Sequence, residues 1–326
     1  MEGQHNLDNP IVGLKAIDLF CGAGGSSCGA YAAGVRIVAG FDLWGTAGEV
    51  YKENFRQTRF VPERLENHDP MQLRRELGPV DLLLASPECT NHSPAKGNLP
   101  RCEKSRETAF QVTRFAEAFE PRWIVVENVI GMSRWPRYHE FIQSLGALGY
   151  RFREERLNAA DFGVAQKRRR LFILFDRKKK PCAIEPTGKE WIPARSFIDR
   201  NGAYQYSLLR TERRAEATLE RADRAIGALG GEQDFLIVYY GSDKAGGWQR
   251  IDEPLRTITT LDRFALVKPS PQGHRMRMLQ PEELKLAMSW PEDFRIQRGT
   301  RRDRIRMIGN AVCPKVMQAV VSQLVS

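Results

Sequence analysis

Cys89 stands in Pro87-Glu88-Cys89-Thr90, directly after the run Asp81-Leu82-Leu83-Leu84-Ala85. A run of that composition reads as a buried strand, so the thiol falls at a strand's carboxyl end, where open α/β sheets bind ligands. A free cysteine packs readily as a small hydrophobe. As a thiolate it is instead a strong nucleophile, and a basic, partly exposed loop raises that fraction at neutral pH. Glu127 offers a carboxyl at the end of a second apolar run, Trp123-Ile124-Val125-Val126. The cluster Gln166-Lys167-Arg168-Arg169-Arg170 has the composition of a phosphate-binding patch.

A second group of residues suits a nucleotide-like ligand. Asp18-Leu19-Phe20-Cys21-Gly22-Ala23-Gly24-Gly25 closes the first predicted strand with glycines that let the backbone turn tightly and approach a ligand near a helix N-terminus. The next strand ends in Phe41-Asp42, where dinucleotide-binding folds place an acid against ribose hydroxyls. Asp69, in His68-Asp69-Pro70 before the third strand, adds another acid on the same sheet edge. The turn reads FxGxG and not GxGxxG, which disfavours hydride transfer from a nicotinamide cofactor.

Positioning these residues requires a sheet. Apolar runs recur at Leu14 to Phe20, Val35 to Phe41, Val80 to Ala85, Trp123 to Glu127 and Leu171 to Phe175, with helical segments between them. That alternation predicts an α/β fold, a doubly wound and mostly parallel sheet covered by helices on both faces. The charged stretch Asp176 to Pro181 marks a boundary between a larger first domain over 1–180 and a smaller one over 181–266. Within the second lie a charged helix, Thr211 to Leu229, read as a solvated face, and a Gly-rich segment, Gly241 to Trp248. Residues 267–326 form a C-terminal segment whose last helices, with Val316, Ala319, Val320 and Leu324 at helical spacing, pack back on the first domain.

The chain has 50 Lys and Arg against 40 Asp and Glu, a net charge of +10 that favours a polyanionic partner. Its six cysteines are scattered without CxxC pairs, indicating neither a zinc site nor a disulfide framework. No stretch approaches the length of a membrane span, and the N-terminus lacks the layout of a secretory signal.

In their order, the FxGxG turn, the Cys89 loop, Glu127-Asn128-Val129, the Gln-x-Arg-x-Arg cluster and Gly309-Asn310-Ala311-Val312 resemble the DNA cytosine-5 methyltransferase family over nearly the whole chain. The resemblance implies an S-adenosylmethionine-dependent enzyme of restriction-modification type acting on double-stranded DNA, with 1–180 as its catalytic, cofactor-binding domain and 181–266 as its target-recognition domain. It would be a monomer without metal or membrane attachment, bacterial or phage-encoded, cytoplasmic and nucleoid-associated. Cys89 would add to carbon 6 of a flipped-out cytosine. Glu127 would serve ring nitrogen 3, Arg170 the carbonyl oxygen and Arg168 the backbone phosphate. On the cofactor side, Phe20 would flank the adenine or sulfonium, Asp42 hold the ribose and Asp69 meet the adenine amino group. Gly22, Gly24, Leu43, Pro70, Glu88, Asn310 and Val312 would complete that wall.

The chain departs from the family at three positions around the nucleophile: Glu88 replaces the usual proline, Thr90 a glutamine and His92 a phenylalanine. A carboxylate beside a thiol opposes thiolate formation, so Glu88 is expected to touch cofactor or base. Arg195, Arg200, Lys244, Trp248 and Arg250 are candidate DNA contacts. The same motifs would serve a tRNA cytosine-5 methyltransferase of the same fold, or a catalytically silent DNA-binding relative.

Overall fold

The computed structural model describes residues 13–88, 102–188, 190–200, 202–240 and 245–326. Cys89, Thr90, His92 and Lys244 therefore lie outside the described residues.

The main sheet comprises β1 (Lys15–Leu19), β2 (Arg36–Phe41), β3 (Arg59–Val61), β4 (Leu82–Ala85), β5 (Trp123–Asn128), β6 (Arg151–Asn158) and, beyond the short β7 (Gln166–Lys167), β8 (Arg169–Asp176). Their order is β3-β2-β1-β4-β5-β8-β6. Neighbours are parallel from β3 through β5, whereas β8 runs antiparallel to both β5 and β6. The strand order reverses between β1 and β4, which opens a crevice at their carboxyl ends.

Alternation along the strands divides the core. Leu82 and Leu84 of β4 face one hydrophobic cluster and Leu83 and Ala85 the other, as a period of two requires when both faces are covered. Helices α1 (Gly25–Ala32) and α2 (Gly45–Asn54) contribute to the first cluster; α3 (Pro70–Leu77), α5 (Phe110–Phe119) and α6 (Tyr138–Ala147), with the short α4 (Glu103–Arg106) leading into α5, lie toward the second. The apolar runs read from the sequence thus coincide with β1, β2, β4, β5 and β8. Strand β6 was not among them, because RFREERLN is an edge strand whose side chains are mostly charged.

The second sheet, of five strands, has the order β11-β10-β13-β14-β9. It contains β9 (Ser207–Leu208), β10 (Phe235–Val238), β11 (Trp248–Arg250), β13 (Phe264–Lys268) and β14 (Arg275–Met278), while β12 (Leu255–Arg256) pairs in parallel with β7. Strand β13 runs through residue 266. Helix α7 covers Glu216–Leu229 and is not simply a solvated face: Ala222 and Ala225 are fully buried, with Leu219 and Ile226 against Phe235, Ile237 and Val267. Small and apolar residues at helical spacing make that buried stripe beneath the charged surface.

The chain ends with α8 (Pro281–Ala287), α9 (Arg301–Asn310) and α10 (Pro314–Val325). Helix α10 lies on α1 at near-backbone contact, since a Cβ at Gly29 would fall 2.4 Å from the Pro314 carbonyl oxygen.

Candidate active site

A cavity of about 520 Å³ opens at the carboxyl ends of β1, β2, β4 and β5. Phe20 and Gly22 supply the wall beyond β1, Asp42 and Leu43 that beyond β2, and Ser86 and Glu88 that beyond β4. Glu127 closes the end of β5, and Asn310 and Val312 come from the far end of the chain. The structure therefore brings together most of the expected cofactor group with Glu127. Gly24 lies just off the wall, at the N-cap of α1 with φ 97°. Phe20 also adopts a left-handed conformation, φ 59°, an uncommon choice for a bulky residue that concentrates at ligand sites.

Asp42 organises this end of the cavity. Its Oδ2 accepts from the Gly22 amide and its Oδ1 from the Trp44 amide, each at 2.8 Å. Burial raises the Asp42 carboxyl's pKa above the ordinary value, opposed by those amides and by Arg306. Behind the turn, Asp18 Oδ2 accepts from the Ser27 hydroxyl at 2.6 Å, and Ser27 contacts the Tyr51 hydroxyl at 2.8 Å. Burial pushes the Asp18 pKa up to about 7.

Glu127 is buried, with its Oε1 3.2 Å from Nε of Arg170. Burial raises its pKa, and the guanidinium groups of Arg170 and Arg168 oppose that rise. Such a carboxyl is suited to holding a proton close to a polar ligand. Arg168 differs from the expected phosphate contact. It is 3% exposed and donates to the carbonyls of Ile258, Gly309 and Ala311 at 2.9, 2.8 and 3.1 Å. Its guanidinium faces the interior, so a DNA phosphate does not reach it in this arrangement.

Asp69 and Pro70 do not line the cavity. Asp69 is the N-cap of α3, accepting from the Met71 amide at 2.9 Å, and Glu63 to Glu66 line the cavity in that region. Among the lining residues not anticipated from the sequence are Trp44 and Arg306, whose guanidinium carbon stands 4.6 Å over the Trp44 ring. The aromatic so soon after Asp42 was the available signal for Trp44; Arg306 had none. Glu88, the last described residue before Cys89, accepts from the Ser105 hydroxyl at 2.6 Å.

Several expected DNA contacts have partners within the chain. Arg195 pairs with Asp252 at 2.7 Å and Arg200 with Asp234 at 3.1 Å, while Arg250 reaches Gln233 at 3.4 Å. Trp248 belongs to β11 and packs beside the α7 core. Among the described residues no cluster of three or more His, Cys, Asp or Glu could hold a metal ion, and no helix is long and apolar enough to cross a membrane.

Comparison with known proteins places this arrangement. The chain is 24% identical to the Type II methyltransferase M.HindV of Haemophilus influenzae over 96% of its own length and 97% of that relative. It is 28% identical to the Type II methyltransferase M.HgiDI of Herpetosiphon aurantiacus over 92% and 90% of the two chains. Among solved structures, a mutant DNMT2 of Spodoptera frugiperda superposes with a TM-score of 0.71 at 17% identity, covering 96% of this chain and 100% of that one. The S. pombe Dnmt2 methyltransferase structure superposes with a TM-score of 0.69 at 17% identity, over 96% and 98% of the two chains. The profile of the family described as C-5 cytosine-specific DNA methylase matches residues 14–326. The chain belongs to the C-5 cytosine-specific DNA methylase family.

Proposed function

We propose that the chain transfers a methyl group from S-adenosylmethionine to carbon 5 of a cytosine rotated out of duplex DNA, through a covalent adduct at Cys89. The observation that carries this reading is the position of Glu127. A buried carboxyl paired with Arg170 stands on the wall shared with the FxGxG turn and with Glu88.

The donor set fits the cofactor. A glycine-rich turn, a ring at Phe20 and a carboxylate at Asp42 would hold an adenosine, and Asn310 and Val312 would close over it. When bound, the cofactor supplies an electrophilic methyl group. Carbon 5 of cytosine is a weak nucleophile, and the residues of this chain would correct that. The Cys89 thiolate adds to carbon 6, and the displaced electron pair moves toward carbon 5. Glu127 donates a hydrogen bond or proton to ring nitrogen 3, offsetting the charge that builds on the ring, while Arg170 holds the carbonyl oxygen. Once carbon 5 has taken the methyl group, with the sulfonium–methyl bond broken and S-adenosylhomocysteine left behind, loss of the carbon 5 proton to a base would return the electron pair to the ring and release the thiolate.

The relatives named as Type II methyltransferases favour DNA over tRNA as the substrate. Bisulfite sequencing of DNA from a host expressing the chain tests this, alongside transfer of labelled methyl to purified DNA and tRNA. Protected cytosines in one short sequence are expected with the wild type and none with Cys89→Ser. Label entering tRNA alone would reject the DNA reading.

A further inference from the structure

Three consecutive residues, Gln166, Lys167 and Arg168, grip one segment, Thr257-Ile258, of the second lobe, the domain expected over 181–266. Oε1 of Gln166 accepts from the Ile258 amide at 3.0 Å, and the Lys167 carbonyl accepts from the Thr257 hydroxyl at 2.8 Å. Nη1 of Arg168 donates to the Ile258 carbonyl at 2.9 Å. Nη2 of the same guanidinium points to a different part of the chain, donating to Gly309 and Ala311 at 2.8 and 3.1 Å. Those two residues flank Asn310, and Asn310, Ala311 and Val312 line the cavity. The two segments also touch directly: a Cβ at Gly309 would fall 2.1 Å from the Thr259 carbonyl oxygen.

A guanidinium presents donors on separate edges of one rigid plane, so it fixes both segments in one geometry. Displacing either segment displaces acceptors of the same buried group. We propose that Arg168 is a positioning residue that couples DNA binding on the second lobe to the cofactor wall at 310–312. This rests on the DNA methyltransferase reading above. The coupling is reciprocal, so DNA raises cofactor affinity by the factor by which cofactor raises DNA affinity.

The test is calorimetric titration of the full chain with the unreactive product S-adenosylhomocysteine, with and without a duplex carrying the methylated sequence. In the wild type DNA should tighten binding by roughly 5–150-fold, and in Arg168→Lys, which keeps the charge but loses the fork, by less than about twofold. A ratio unchanged in Arg168→Lys overturns the coupling role while leaving the methyltransferase reading intact. A wild type that binds neither ligand overturns both. The wild type alone provides a second measurement that does not depend on a variant folding. Duplex DNA without cofactor should slow amide hydrogen exchange across residues 307–313, and unchanged exchange there overturns the proposal.

Discussion

Glu127 and Arg170 lie on antiparallel neighbours, β5 and β8, with Oε1 of the acid 3.2 Å from Nε of the arginine. Burial raises the Glu127 pKa while Arg170 and Arg168 restrain the rise, so the group keeps its proton to higher pH than an exposed glutamic acid does. In the proposed reaction only the protonated form donates to ring nitrogen 3. Single-turnover methylation should therefore fall as pH rises through the Glu127 titration, a sign opposite to that of the Cys89 thiolate. Glu127→Gln should slow turnover by about 10²- to 10⁴-fold and remove that alkaline limb. A limb of the same shape in the variant would assign it to another group.

Asp18 makes a separate prediction, about stability. Its pKa is raised from 3.8 to about 7 by burial, against the Ser27 hydrogen bond, and its Oδ1 is buried without a hydrogen-bond partner among the described residues. A raised folded-state pKa means the neutral form is favoured by folding. Its stabilising contribution is complete below the unfolded value and is lost as pH rises from about 4 through about 7. The contribution should fall by at most about 1.4 kcal/mol per pH unit over that window. Urea denaturation at several pH values measures it. Asp18→Asn should flatten the slope, and an equal slope in both proteins would show that Asp18 is not its source.

The legible parts of this site were those whose determinants sit together in the chain. The FxGxG turn and Asp42 each follow an apolar strand, so the sheet edge and its ligand wall could be read locally. Arg168 was legible as a cation, but not as an interior clamp, because its acceptors Ile258, Gly309 and Ala311 lie 90, 141 and 143 residues away. Asp69 looked like a ligand because a short acid before Pro70 has the same sequence signature as a helix N-cap. Strand β6 escaped because a charged edge strand carries no apolar run. The buried stripe of α7 was masked by the charges on its other side.

For Asp42 the hydrogen bonds give the expected cofactor loss a definite cause. Both carboxylate oxygens accept backbone amides, from Gly22 and Trp44, so Asp42→Ala unties the turn as well as removing a ligand contact. Cofactor affinity should drop by about 1–3 kcal/mol, the scale of leaving buried donors unsatisfied. Asp42→Asn retains one oxygen acceptor and should lose less. Calorimetry with S-adenosylmethionine measures both, and equal affinity in wild type and Asp42→Ala would remove Asp42 from the cofactor wall.

Helix contact supplies a prediction independent of catalysis. At Gly29 a methyl group would meet the Pro314 carbonyl oxygen at 2.4 Å and the Met317 Cβ at 2.6 Å. Neither is the far end of a flexible side chain, so α1 and α10 would have to separate. Gly29→Ala should cost about 1–3 kcal/mol in urea denaturation despite alanine's better helix propensity. A stabilised variant would mean that the two helices can part without loss.

Glu88 joins the departure from the family pattern to a visible contact. It lines the cavity and accepts from the Ser105 hydroxyl at 2.6 Å, which ties the end of β4's loop to α4. A proline at this position can make no such contact, so the serine and the glutamate form a pair that replaces it. Glu88→Gln keeps an oxygen acceptor for Ser105 and should retain most of the turnover. Glu88→Pro and Ser105→Ala both remove the hydrogen bond and should lower turnover to a similar degree, with the double variant no worse than either, as expected for two partners in one interaction. The measurement is turnover at saturating cofactor and DNA in all four variants. If Glu88→Gln instead falls as far as Glu88→Pro, the charge itself is what the site uses, and a direct contact of the carboxylate with cofactor or base replaces the Ser105 tie as the reason for its presence.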